Sequence, residues 1–128
     1  MGENSVNYET YSQSMVFLPY NSVPYPVEVF AVNGTALYIN PAMMKLYCIN
    51  DPNLIVGRYN LRKDPRYRSV KSHMEAIKKA FSGELVSIKS FPPPVQGFVN
   101  DVKPTSACFL PIIVGGKVRL VLAEYRNK

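Results

Sequence analysis

One histidine, two cysteines and nine tyrosines are the side chains of this 128-residue sequence whose chemistry goes beyond charge. Three patterns that would organise them for catalysis are missing: H-E-x-x-H for a zinc-bound water, G-x-S-x-G for a serine nucleophile, and G-x-x-x-x-G-K for a phosphate cradle. His73 has no cysteine beside it, so a nucleophile and its base would have to be brought together by folding alone, and no enzyme is expected. Cys48 and Cys108 are too few for a disulfide framework and lack the C-x-x-C spacing of a zinc site, so both are expected to be half-buried thiols of a reducing compartment. Glu28 interrupts an apolar run, where an exposed pairing position is the expectation.

The charge is local. Lys and Arg number 15 against 9 Asp and Glu, a net of +6. Arg58, Arg62, Lys63, Arg66, Arg68, Lys71, Lys78 and Lys79 face only Asp64 and Glu75 in that stretch, and the rest of the chain is balanced. A solvated helical face is the plain reading. A small basic nucleic-acid-binding or transcription-factor domain is the alternative, but only Tyr59 and Tyr67 interleave the stripe as stacking aromatics.

The elements that must position these groups fit one domain with a single core. The longest apolar run, residues 109–114, falls far short of the roughly 20 residues of a membrane span. The first fifteen residues carry Glu3 and Glu9 and no Lys or Arg, so no secretory signal is read and a cytoplasmic domain is expected. Residues 1–22 form an extension in which Tyr8, Tyr11, Met15 and Phe17 or Leu18 recur at helical steps, predicting an amphipathic helix that ends before Pro19. From residue 23 to 128 the domain proper opens with two β-branched, aromatic runs around Asn33-Gly34, a hairpin signal in which both turn residues would take positive φ. Without a secretory signal, this turn reading outweighs the glycosylation pattern of Asn33-Gly34-Thr35.

Asn40-Pro41, Asp51-Pro52 and Asp64-Pro65 each pair a capping side chain with a preset helical φ, and so mark three helix starts. The third helix, irregular at first, carries Val70, Met74, Ile77 and Phe81 on one face and stops at Gly83. Strands over 85–91, 105–113 and 117–125 follow, the last two joined tightly by Gly115-Gly116. Pro92-Pro93-Pro94 places the first of these on a sheet edge.

Val29-Phe30-Ala31-Val32-Asn33-Gly34-Thr35-Ala36-Leu37-Tyr38-Ile39-Asn40-Pro41-Ala42 resembles the opening hairpin and helix start of a PAS domain. Asp51-Pro52 with Val56-Gly57, then Ala80-Phe81-Ser82-Gly83-Glu84, then Leu110-Pro111 are similar to later landmarks of that family, in the same order. Two departures stand out: Ala31 replaces the usual acidic residue, and the opening turn is shorter than the common one.

The resemblance implies an α+β fold, a five-stranded antiparallel sheet in the order 2-1-5-4-3 with helices on one face. It implies a sensory or dimerisation module that relays a signal to an output domain, as in sensor histidine kinases or transcriptional regulators. Between sheet and helices it implies a cavity, packed shut or holding a small organic ligand. The apolar helix faces and strand alternation place Tyr47, Tyr59, Met74, Ile77, Phe81, Phe91, Phe109 and Val121 around it, with His73 a further candidate.

In haem-binding relatives the iron ligand is a histidine about ten residues before the glycine ending the long helix, as His73 is before Gly83. The apolar face through Met74, Ile77 and Phe81 puts it about 100° off that face, so a rim histidine is expected and haem is not. Flavin adduct chemistry would need Asn-Cys-Arg where this chain reads Tyr59-Asn60-Leu61-Arg62, and noncovalent flavin is not expected either. The family further implies a homodimer, through residues 5–18 and the outer sheet face.

Overall fold

The computed structural model describes residues 15–89 and 106–126. β1 (Val27–Ala31) and β2 (Ala36–Ile39) form the opening hairpin, followed by α1 (Pro41–Tyr47), 3-10 turns at Pro52–Leu54 and Leu61–Lys63, α2 (Pro65–Arg68) and α3 (Lys71–Phe81). β3 (Val86–Lys89), β4 (Ser106–Val114) and β5 (Lys117–Arg126) complete one antiparallel sheet in the order β2-β1-β5-β4-β3. This is the implied order, with β3 on an edge; the proline run lies outside the described residues.

Side chains alternate across a strand, and in β1 both faces are buried. Val27 and Val29 join Tyr38, Leu122 and Phe17 on the outer face, while Phe30 joins Val121, Phe109 and Tyr47 beneath the helices. Asn40, Asp51 and Asp64 each accept a hydrogen bond from a backbone N–H two or three residues on and are followed by proline, so the three Asx-Pro pairs do start helical segments. The second of them amounts to one 3-10 turn.

Four expectations are corrected. The opening turn has three residues, Val32, Asn33 and Gly34, closed by Gly34 N–H to Ala31 O at 2.8 Å and Ala31 N–H to Thr35 O at 2.8 Å. Gly34 alone takes a positive φ, +97°, so this is a type I turn with a glycine bulge rather than a two-residue turn. A Cβ on Gly34 would run into Asn60 Oδ1 and lie 2.8 Å from Arg62 Cγ, because residues 57–61 press against the free edge of β2.

The helical segment of the extension does not end before Pro19: Met15–Ser22 runs through it as 3-10 helix, whose φ proline tolerates. Phe17 is buried, stacked on Tyr38 at 4.9 Å, whereas Leu18 is 49% exposed. Residues 5–14, with Tyr8 and Tyr11, lie outside the described residues.

On α3 the buried residues are Ile77 and Ala80, with Val70 exposed and Met74 half-buried. The inward stripe is thus rotated from the expected one, and His73, four residues before Ile77, falls on it rather than off it. Finally, Cys48 is exposed rather than half-buried, while Cys108 is intermediate as expected.

Candidate functional site

Glu28 is a further residue that sequence reasoning misplaced. It is 0% exposed, on the helix side of β1 between Ile39 and Ala123. Tyr47 on α1 donates its hydroxyl proton to Glu28 Oε1 at 2.8 Å, while Oε2 is buried with no hydrogen-bond partner. Burial pushes the carboxyl up to about 8, against the smaller opposing effect of the Tyr47 hydrogen bond. It is therefore a neutral acid at physiological pH. Tyr47, Tyr59, Tyr67 and Tyr125 surround it closely enough to feel its charge, and all four are raised, first by burial. Alternation could not reveal this, since both faces of β1 are apolar except at Glu28.

A second polar node lies beside the first. Asp64 caps α2 through the Arg66 N–H at 2.9 Å, accepts the Tyr59 hydroxyl at 2.6 Å and pairs with the Arg66 guanidinium at 2.6 Å. Burial works to raise this carboxyl, but the Arg66 side chain, the Tyr59 hydroxyl and the Arg66 amide outweigh it and hold it below its ordinary value. The same contacts pull Arg66 out of the basic stripe. Arg62 is likewise engaged, donating to Val32 O at 3.0 Å and lying 4.8 Å over the Phe81 ring. Arg58 donates to Asn53 O at 3.0 Å. Three of the eight cations of the stripe are thus held by local contacts.

Of the expected site residues, Tyr47, Ile77, Phe109 and Val121 come together in the helix-side core, with Tyr59 and Phe81 packed against it. Phe91 lies outside the described residues. Met74 departs from this group and lines a cleft of about 330 Å³ together with Leu61, Tyr67, Ile77, Arg62, Arg68 and Lys78. His73 packs on Tyr67 with ring centroids 6.0 Å apart, and its Nδ1 is buried without a hydrogen-bond partner.

Among the described residues no thiol is placed for a flavin adduct, and the one histidine does not line the cleft. Cys108 lies between Ala107 and Phe109, both on the helix side, so its thiol belongs to the outer face; Cys48 is exposed at the end of α1. The imidazole of His73 rests on Tyr67 and is not part of the cleft lining. Among the described residues no three His, Cys, Asp or Glu side chains come together to hold a metal ion.

An antiparallel sheet in this order, closed on one side by short helices around a partly polar interior, defines an α+β cup. The chain has the PAS fold. It matches a PAS domain from a two-component sensor histidine kinase with a TM-score of 0.63 and 14% identity, over 88% of this chain and 93% of that one. The PAS domain of an HTR-like protein from Haloarcula marismortui matches at 0.60 and 14%, over 94% and 93%. An RNA-binding light-oxygen-voltage receptor matches at 0.63 and 17%, over 98% of this chain and 34% of that one. No family model matches the sequence, and no curated protein does.

Proposed function

We propose that this chain is a sensory PAS domain: it takes a small organic ligand on the helix side of its sheet or dimerises, and relays that state to an output domain or kinase partner. The observation that carries the reading is the half-satisfied carboxyl of Glu28 inside a ring of tyrosines. A core packed only for stability gains nothing from a buried acid with an orphan oxygen, which costs on the order of 1–3 kcal/mol. Such a group marks an interior that serves more than packing. The sensor histidine kinase in which a similar fold occurs supports the same reading.

The role is non-catalytic, chromophore-free and cytoplasmic. No helix among the described residues is long and apolar enough to cross a membrane. Residues 1–22 serve as an extension to the domain at 23–128, and residues 5–18 pair two copies across the outer face of β4 and β5. On that face Leu110 and Val114 are exposed and Ile112 and Leu120 half-buried, which supports the pairing. Beyond its charge, nothing in the basic stripe favours nucleic acid.

Native mass spectrometry and an absorption spectrum of the purified protein test the reading. A small organic mass released on denaturation, with no visible absorption, is expected. A Soret band lost in His73→Ala, or flavin bands, would overturn the chromophore-free reading. A protein that carries nothing and does not self-associate would overturn the sensor reading.

A further inference from the structure

The cleft beside α2 and α3 has two kinds of wall. Leu61, Met74 and Ile77 make an apolar floor, and Arg62, Arg68 and Lys78 stand exposed around it; no acidic side chain lines it. Arg62 is preset by its bond to Val32 O and by the Phe81 ring. Arg68 and Lys78 have neither an ion pair nor a side-chain hydrogen bond among the described residues. Asp64, the nearest buried carboxylate in the sequence, is already matched by Arg66. Three cations converging on a concave apolar floor is an arrangement complementary to one kind of ligand, since an anion supplies the missing charge and an apolar body covers the floor.

We infer that this cleft binds an amphipathic organic anion, a phosphate or carboxylate head on a short apolar body. The inference rests on the ligand-sensor reading and names the ligand class. Its volume of about 330 Å³ sits at the small end of ligand sites. The head lies between Arg68 and Lys78, with Arg62 behind it, and the body lies along Met74 and Ile77. Tyr67 also lines the cleft and belongs to the ring around Glu28, so an occupied cleft touches the same buried network.

Calorimetric and amide-shift titration of the full chain with octyl phosphate tests this. Saturable one-site binding is expected with Kd below about 1 mM, at least about tenfold tighter than inorganic phosphate, and with no binding of octyltrimethylammonium. The double variant Arg68→Ser, Lys78→Ser is expected to bind about tenfold more weakly at an unchanged unfolding midpoint, since both side chains are exposed. Equal affinity for inorganic phosphate, binding of the ammonium, or indifference to the double variant would overturn the inference. So would binding to phosphatidylglycerol vesicles or to oligonucleotides that octyl phosphate does not displace. A released ligand that is cationic or neutral would leave the sensor reading standing and sink this one.

Discussion

Glu28 holds its proton because ionising it inside β1 would bury a charge with a single protein donor, the Tyr47 hydroxyl. Its carboxyl is raised from an ordinary 4.5 to about 8, so the native state binds this proton more tightly than the unfolded chain. Below pH 4.5 both states are protonated, and the group contributes no pH dependence. Between pH 4.5 and 8 the unfolded chain ionises while the native one does not, so stability falls as pH rises, by up to about 5 kcal/mol across that window. Urea unfolding at pH 5, 7 and 9 checks the sign. Glu28→Gln is expected to keep a polar contact with Tyr47, to flatten the dependence, and to be the more stable protein at pH 9. A parent whose stability is level over that range would show an ordinary carboxylate. None of this was legible in the sequence, because a lone Glu in an apolar strand reads the same whether it faces water or a ring of tyrosines.

The helical segments were legible at their starts and less so along their faces. An Asx-Pro pair acts locally, through one side-chain acceptor and one fixed φ, so sequence alone located all three caps. The inward face of α3 is set by what it packs on, and an alanine, Ala80, rather than Met74 meets the sheet. Asn40 does more than cap. Its Oδ1 accepts from Met43 N–H and Val27 N–H, both at 2.9 Å, and its Nδ2 donates to Tyr20 O at 2.9 Å and Tyr25 O at 3.0 Å. One buried amide thus ties the extension, β1 and α1 together, and Asn40→Ala is expected to cost about 3 kcal/mol by chemical denaturation. At the other end of α1, Cys48 takes φ +62°, its N–H bonding Lys45 O and that of Ile49 bonding Met44 O. This closing motif favours glycine, so Cys48→Gly is expected to raise stability by about 0.5 kcal/mol, read as a higher urea midpoint.

At the scale of the whole molecule, the described residues cover the outer sheet face over part of its width. Phe17, Tyr20, Val23 and Tyr25 close over β1, β2 and part of β5, with Arg126 lying 3.7 Å over the Tyr25 ring. β4 keeps Leu110 and Val114 exposed beyond that cover. Phe17 seals its own sheet, and the pairing proposed above for residues 5–18 across the outer face of β4 and β5 would be a second, separable role. Leu110→Glu with Val114→Lys in the full chain isolates the second role, because both side chains are exposed, at 39% and 58%, and their exchange costs little stability. A chain starting at Asn21 removes both roles, and loss of the buried Phe17 alone is expected to cost about 3 kcal/mol. Light scattering at about 100 μM, which populates most specific dimers, should then find a dimer for the full chain and monomers for both variants, with a lowered unfolding midpoint only in the truncated one. If the full chain is itself a monomer at that concentration, residues 5–18 do not pair copies, and the exposed leucine and valine of β4 need another explanation.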